Sequence, residues 1–408
     1  MEKYKKILFD ALENELYYNN EDLRINKKYG YMLSRNELDL YLHFKDTFMN
    51  DAKEALNLKT FNSKNIYYYH SKELKNLLDD YLTFFLQDLE IKNSTIVSEN
   101  YNEMILSTVA SELDGTLKIE GVNTTRKKII EIMNDPEILD SNEQIIYNMI
   151  EGYKFVNTKP EFTKENLLKL YKLLSYKSLK LDDEIIEYYR KDMVQIGSHD
   201  GCPIEKINDC MDSLFEYVNE NLDGKNIFLP FIVHYYILYI HPYMDFNGRT
   251  ARMCSIWISL LTGKEAMLPA YLSEAINDDK TNYYKAIDNS RNSHNDLTYF
   301  LTYLLNLANN YHLVYKNVSS IKNDLALMGE SLTNTEAHYL KRIIINQKRG
   351  WFNYKGFIEF CNIDITKQGA FKILNNFCNL NILKAKINSK NEKIFILNEN
   401  IIKYEIKN

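Results

Sequence analysis

The sequence predicts a mainly α-helical protein, and two observations lead to this fold class. Only 6 prolines occur among the 408 residues, and all of them lie from Pro136 to Pro269, so helices are unobstructed over most of the chain. Apolar residues recur at helical spacing, as Leu74, Leu77 and Leu78 do. Stretches that alternate strictly are short, which limits the predicted strands to small hairpins.

Residues before about 310 are predicted to form two helical blocks. Residues 1–97 have helical spacing but no pattern that indicates chemistry, so we expect an N-terminal helical domain there. Residues 98–310 form the second block. Within it, Met193–Ser198 alternates apolar and polar side chains, and a turn through His199–Gly201 follows, which predicts a small β-hairpin.

Residues 325–408 are predicted to be a separate C-terminal domain. Three helical segments are followed by two alternating segments with a turn between them. The helices are Thr333–Gln347, Asn353–Asn362 and Thr366–Leu383, the strands are Lys384–Ile387 and Lys393–Leu397, and the turn is Asn388–Asn391. This order resembles a winged helix-turn-helix module.

The charge of the chain is divided unevenly. The formal net charge is −6, but from Tyr339 onward there are 13 Lys and Arg residues against 5 Asp and Glu residues. A basic tail indicates a module with a partner of its own. Lys367, Gln368 and Lys372 on the third predicted helix are candidates for contact with DNA. Winged helices also serve as protein-binding modules, and the acidity of the whole chain weakens binding to nucleic acid, so both interpretations stay open.

Cysteine usage and hydropathy predict a soluble, cytoplasmic protein. The 5 cysteines are odd in number and lie too far apart for a metal site or a disulfide framework. Asp10, Glu13 and Glu15 interrupt the apolar residues of the N-terminus, which argues against a signal peptide. The most apolar run, Ile227–Ile240, is too short to cross a bilayer, so no membrane partner is expected.

A turn between two predicted helices is the most informative part of the chain. Phe228–Ile240 predicts a helix that Pro242 ends, because the residue before a proline is biased away from helical backbone. A second helix is expected to begin at Asn247 and Gly248. The free N–H groups at the start of a helix form a site for anions.

Four side chains in or beside this turn suit chemistry on a nucleoside triphosphate. His241 offers a base that titrates near neutral pH. Asp245 can hold Mg²⁺, which proteins usually bind through one or two carboxylates together with phosphate oxygens. Arg249 and Arg252 are three residues apart and share one face of the second helix, near its positive end.

The stretch His241–Arg252, HPYMDFNGRTAR, resembles the signature loop of the Fic family, His-Pro-Phe-x-Asp/Glu-Gly-Asn-Gly-Arg-x-x-Arg. Upstream, Thr116–Gly121 is similar to the inhibitory motif of that family, Ser/Thr-x-x-x-Glu-Gly/Asn. Downstream, Leu268–Ser273 and Asp279–Tyr284 resemble the segment that leads to its adenine pocket. The resemblance covers about residues 98–310 and implies a Fic helical core with a small β-hairpin flap.

The resemblance also implies an activity, the transfer of AMP from ATP, with Mg²⁺, to a Tyr, Thr or Ser of a target protein or of the chain itself. His241 would be the catalytic base and Asp245 the metal ligand. Arg249 would contact the β-phosphate and Arg252 the γ-phosphate. The residues expected at the nucleotide are Asp245, Phe246, Asn247, Gly248, Arg249, Arg252, Tyr271, Tyr283 and Tyr284.

Regulation and target binding are implied in the same way. Glu120, in a motif with Thr116 and Gly121, would pair with Arg252 and occupy the space of the γ-phosphate, and whether it also assists removal of AMP is open. The predicted hairpin would act as the flap that aligns a target by strand addition, through Val194, Ile196 and Gly197. Relatives in the family often form dimers, so a homodimer is a further possibility.

One residue departs from the family pattern in a way that affects the site. Phe246 stands where the pattern has Gly, and a bulky residue adopts a positive φ only at a cost. Either the loop does not need that conformation or the anion site is altered, so the preferred nucleotide is open. Tyr243 in place of Phe adds only a hydroxyl.

Two alternatives to adenylyl transfer remain. The same fold could transfer UMP or a phosphate. The chain could instead be a DNA-binding regulator that uses a catalytically silent Fic domain to sense nucleotide. Labelled ATP distinguishes the three functions.

Overall fold

The computed structural model describes residues 2–13, 33–62, 65–95, 100–135, 140–178, 188–197, 199–263, 272–361, 363 and 365–406. It divides into two compact units, Met1–Ala308 and Asn309–Asn408. Helices dominate both units, which confirms the prediction of a mainly α-helical fold. Among the described residues, no helix combines the length and the apolar character that crossing a membrane requires.

The first unit is built from helices around one large apolar core. Its helices are α1 Glu2–Glu13, α2 Arg35–Phe48, α3 Lys72–Thr95, α4 Asn100–Ile119, α5 Arg126–Asn134, α6 Ser141–Asn157, α7 Lys164–Ser175, α8 Ile204–Glu220, α9 Leu229–Ile240, α10 Asn247–Leu261, α11 Leu272–Asp278 and α12 Lys280–Asn292. A further helix, α13 Thr298–Leu327, continues into the second unit. A smaller, separate apolar cluster joins α1 and α2 through residues such as Ile7, Leu8 and Tyr41.

The two helices that flank the signature turn lie in the centre of the core. Nearly every residue of α9 is buried, and α10 is buried from Arg249 to Leu260. Trp257 of α10 is fully buried, and its indole N–H donates to the Pro160 carbonyl at 2.8 Å. A helix that is apolar on all sides is stable only inside a protein. The turn between α9 and α10 is therefore held from both ends by packed helices.

A β-hairpin interrupts the helices of the N-terminal segment, where the sequence predicts helices alone. Strands β1 Lys53–Leu56 and β2 Ile66–Tyr69 pair antiparallel. All four residues of β2 are buried, so the segment lacks the alternation by which a strand is recognised. In this part, the prediction for residues 1–97 was wrong.

The predicted hairpin near residue 195 is present, with a different turn. Strands β3 Gln195–Ile196 and β4 His199–Asp200 pair antiparallel, so His199 and Asp200 lie in a strand and not in the turn. Gly197 has φ +60°, a backbone conformation that glycine adopts at little cost. The glycine therefore sets the turn two residues earlier than expected.

The second unit follows the predicted order of three helices and a hairpin. Its elements after α13 are α14 Asn334–Ile345, α15 Tyr354–Cys361, α16 Lys367–Asn379, β5 Leu383–Ile387 and β6 Lys393–Leu397. Phe352 adds an isolated bridge to Phe395 of β6. The third helix ends earlier than predicted because Asn381 takes a left-handed conformation, with φ +58°, and Leu383 begins β5.

Candidate active site

The end of α9 determines the position of His241. The backbone N–H of His241 donates to the Ile237 carbonyl at 2.9 Å, and its φ of +55° turns the chain out of the helix. The half-buried imidazole has a pKa lowered to about 4, first by burial and then by the charges of Arg190 and Arg291. His241 is therefore neutral at pH 7 and able to accept a proton.

Asn247 closes the turn that separates His241 from α10. Its side-chain oxygen accepts from the Tyr243 N–H at 3.0 Å, and its amide nitrogen donates to the Tyr243 carbonyl at 2.8 Å. The Tyr243 ring stacks on Tyr171 of α7, with centroids 3.7 Å apart. Asn247 and Tyr243 are both buried, so the two hydrogen bonds between them give the turn a fixed shape before any ligand binds.

Phe246 adopts the conformation that its type makes costly. It is the residue before α10, with φ +65°, and is 3% exposed. The loop thus keeps a left-handed conformation without the glycine of the family pattern. Its ring lies against the guanidinium of Arg249, whose Cζ is 3.5 Å from the ring centroid.

Glu120 lies at the start of α10, where a phosphate is expected. Its carboxylate pairs with Arg252 at 2.5 Å, and 26% of its side chain is exposed. A Cβ built on Gly248 would come within 2.6 Å of the same carboxylate oxygen. Burial opposes ionisation of Glu120, but Arg252, Arg249 and Lys280 together hold its pKa below the usual value. The carboxylate is therefore charged and lies against the start of α10.

Thr116 completes the contact between α4 and Arg252. The Arg252 Nε–H donates to the Thr116 hydroxyl at 2.6 Å. Arg252 is 4% exposed, and the charge of Glu120 raises its pKa although burial acts in the opposite direction. Gly121, with φ +79°, turns the chain away just after Glu120. The motif Thr116–Gly121 therefore contacts the signature helix directly.

The end of α4 that carries this motif is fixed against α11 and α12. A Cβ on Gly115 would overlap the backbone of Ser273 and Glu274, so the two helices approach as closely as glycine allows. The half-buried Glu112 carboxylate accepts from the Ser273 N–H at 3.0 Å and from its hydroxyl. Lys280 donates to the Lys118 carbonyl at 2.6 Å. These contacts set where Glu120 lies.

Asp245 is available as a ligand for a hard cation. Its side chain is 66% exposed and lies 4.0 Å from Arg249. One carboxylate oxygen accepts from the Phe246 N–H at 2.6 Å, which orients the group. A single exposed carboxylate beside an anion site is the donor set on which Mg²⁺ bound to a phosphate usually relies. No cluster of three or more His, Cys, Asp or Glu side chains suited to a metal occurs among the described residues.

The tyrosines expected at the adenine lie on α12 in different settings. Tyr283 is buried, and its hydroxyl is 2.9 Å from Nε2 of His234. Burial lowers the pKa of His234 to about 3, which identifies it as a neutral core histidine. Tyr284 is 50% exposed, with its ring 5.2 Å from that of Tyr283. Tyr271 lies outside the described residues.

Arg190, which no sequence pattern predicts as a functional residue, connects the flap to the signature turn. Its Nε donates to the His241 carbonyl at 2.8 Å, and its backbone N–H donates to the Pro242 carbonyl at 2.9 Å. The same guanidinium donates to the Cys202 carbonyl after β4. Arg190 is 3% exposed, and no spacing pattern marks it in the sequence.

The flap residues themselves lie on the β3–β4 hairpin or beside it. Val194 precedes β3, and its carbonyl accepts from the Gly201 N–H at 2.9 Å. Ile196 is half-buried, whereas Gly197 at the turn is exposed. Arg291 of α12 donates to the Asp200 carbonyl at 2.8 Å. The hairpin is thus attached to the signature turn at one end and to α12 at the other.

Known proteins resemble the chain in sequence and in fold. Residues 161–259 match the Fic/DOC family. A Fic family protein from Desulfovibrio desulfuricans G20 has 15% identity and a TM-score of 0.50, over 81% of this chain and 97% of that chain. Fic-1 from C. elegans (17%, TM-score 0.42, 60% and 70%) and a Fic domain containing signaling protein from Bacteroides thetaiotaomicron VPI-5482 (16%, TM-score 0.43, 64% and 99%) are also similar. No curated protein sequence matches the chain.

Proposed function

Because the chain carries a Fic/DOC-family domain, we propose that it is a Fic-type transferase, and more specifically a protein adenylyltransferase that Glu120 inhibits. The substrates are ATP and a hydroxyl of a target protein or of the chain itself. The observation that carries this proposal is the 2.5 Å pair between Glu120 and Arg252 at the start of α10, next to a neutral His241.

In this reaction His241 takes the proton from the target hydroxyl, and the oxygen attacks the α-phosphorus of ATP. The bond from the α-phosphorus to the oxygen that bridges to the β-phosphate breaks, and pyrophosphate leaves. The N–H groups at the start of α10, with Arg249 and Arg252, bind the departing phosphates. Mg²⁺ held by Asp245 would neutralise part of their charge.

Glu120 restrains this reaction because its carboxylate uses Arg252 and fills space next to Gly248. ATP would then bind with its γ-phosphate displaced and its α-phosphorus out of line. A charge-assisted hydrogen bond contributes roughly 1.5–3 kcal/mol, which corresponds to repression of about tenfold or more.

The test is incubation of the full-length protein with Mg²⁺ and ATP labelled at the α- or the γ-position. We expect Glu120→Gly to incorporate α-label at least about tenfold faster than the natural chain, and His241→Ala to abolish it. Glu120→Gln keeps the size of the side chain and removes its charge, so a matching rise would assign the repression to charge.

Other results would favour the alternatives. Covalent γ-label would indicate transfer of a phosphate, and label from UTP alone would indicate UMP. An unchanged or lower rate in Glu120→Gly would remove the autoinhibition.

A second function, binding of duplex DNA by the C-terminal unit, is favoured by one observation. Lys367 and Lys372 on α16 and Lys384 and Lys386 on β5 are exposed, and each has no carboxylate within 4.0 Å among the described residues. Lysines placed in this way neutralise phosphates without prior competition from an ion pair. This function does not exclude the first.

A further inference from the structure

Arg249 is held differently from its neighbour Arg252. The side chain is 7% exposed, and the one carboxylate within 4.0 Å in the described parts of the chain is that of Asp245. Its buried Nε has no hydrogen-bond partner among the described residues. Arg252, by contrast, donates to Thr116 and to Glu120. The donors of Arg249 are therefore uncommitted although the group is buried.

What fixes Arg249 is the ring of Phe246. The guanidinium carbon lies 3.5 Å from the ring centroid, and Phe246 is 3% exposed. The face of an aromatic ring attracts a cation, most strongly where water is excluded. Stacking of this kind restrains the plane of the guanidinium and leaves its N–H groups, which point outward in that plane, free for a ligand.

The backbone shows that this arrangement has a cost. Phe246 has φ +65°, a conformation that is uncommon for bulky residues, and strain of this kind persists only where its surroundings maintain it. A carboxylate partner would also fix Arg249, but it would neutralise the charge and occupy the donors. An aromatic ring does neither.

We propose that Phe246 is a positioning residue that holds Arg249 ready for the β-phosphate of the nucleotide. The inference rests on the proposed function, because it assigns Arg249 to a phosphate. It predicts that loss of the ring weakens only ligands with a phosphate beyond the α-position. AMP, which has none, serves as the internal control.

The test measures binding of ADP, AMP and inorganic pyrophosphate, each with Mg²⁺, by calorimetry. Phe246→Leu keeps an apolar side chain and removes the ring, and Phe246→Met does the same if the first variant does not fold. We expect ADP and pyrophosphate to bind about tenfold more weakly and AMP to change less than about twofold. Phe246→Tyr should retain binding of ADP, because the face of the ring is kept.

A double-mutant cycle distinguishes positioning from general packing. In an Arg249→Ala background, Phe246→Leu should cause no further loss of ADP affinity. An equal loss in both backgrounds, or a parallel loss for AMP, would overturn the inference. If the natural chain binds neither nucleotide, the proposed function fails. The pyrophosphate cycle then decides the role of Phe246, and absence of pyrophosphate binding would overturn that role too.

Discussion

At the scale of single residues, the candidate site combines a neutral imidazole with a charged carboxylate and a charged guanidinium. Burial lowers the pKa of His241 to about 4, whereas Glu120 and Arg252 stabilise each other's charged forms. A base must be unprotonated to accept a proton, and His241 is unprotonated over the whole neutral range. The pH dependence of the reaction is therefore a test of this environment.

We expect kcat/KM of the Glu120→Gly variant to be level from about pH 5.5 to 8 with respect to His241. The neutral form predominates above its folded-state pKa of about 4, so activity should fall only as the pH decreases towards that value. Initial rates of label incorporation between pH 4.5 and 8 measure it, with circular dichroism as a control for unfolding. Half-maximal activity near pH 6.5 would contradict the buried environment.

Some of these residues could be predicted from the sequence, and others could not. The signature loop and the inhibitory motif are local patterns, so the sequence predicts His241, Asp245 and Glu120 as site residues, and in the structure all three lie at or beside the turn that precedes α10. Arg190 donates to backbone carbonyls, which every residue has. The residues that it contacts therefore need not be of any particular type. No spacing pattern could have marked it.

At the scale of elements, the contact between α4 and α11 determines whether Glu120 reaches the site. Gly115 allows the two backbones to approach, and Glu112 binds the start of α11 through Ser273. Neither contact follows from helical periodicity, because each joins residues far apart in the sequence, and Glu112 and Ser273 are separated by 161 positions. The sequence predicts a helical block and the motif Thr116–Gly121 within it, but not the contacts that hold the motif in place.

Gly115→Ala should destabilise the protein by about 1–3 kcal/mol, because the added methyl group would meet the backbone of Ser273 and Glu274, which cannot move aside cheaply. Gly152→Ala on α6 is the matched control. Its methyl group would meet side-chain atoms of Leu174 and Leu170 and no backbone atom, and the closest of them is the end of the Leu174 side chain, so the loss should be within about 1 kcal/mol. Urea denaturation measures both. Equal midpoints for the two variants would show that the approach at Gly115 is not tight.

The two hairpins of the first unit show when strands cannot be predicted from the alternation of apolar and polar residues. The β2 strand is buried on both faces and its partner β1 is mostly exposed, so neither alternates. The flap hairpin was predicted because Met193–Ser198 does alternate. The predicted turn at His199–Gly201 is wrong because Gly197 adopts a left-handed conformation and turns the chain before His199.

At the scale of the whole molecule, charge is segregated between the two units. Residues 309–408 carry 15 Lys and Arg against 8 Asp and Glu, whereas residues 1–308 carry 35 against 48. A net charge of −6 for the chain conceals this division. A basic unit of this size can bind a polyanion even though the protein as a whole is acidic.

If the second unit binds DNA, the affinity of the full-length protein for duplex DNA should fall steeply with salt. Replacing Lys372 or Lys386 by Ala should reduce the slope of log K against log salt by about 1, because each lysine that contacts a phosphate releases about one counterion. Fluorescence anisotropy between 50 and 200 mM salt, roughly the range over which such binding changes, measures it. Lys403→Ala is the control, because Lys403 is exposed but already paired with Asp324. Retention that does not depend on salt would argue against this function.

The contacts of Arg190 with two backbone carbonyls would affect the choice of target if the chain modifies a protein as proposed. One guanidinium donates to both the His241 carbonyl and the Cys202 carbonyl, so a single side chain links the flap edge to the backbone of the base. A peptide that adds to β3 as a further strand would present alternate side chains to opposite faces. Sliding such a peptide by one residue would turn its hydroxyl away from the imidazole, and only a slide of two would restore it. Substrate choice would then depend on the parity of the hydroxyl's position along the peptide as much as on its neighbours.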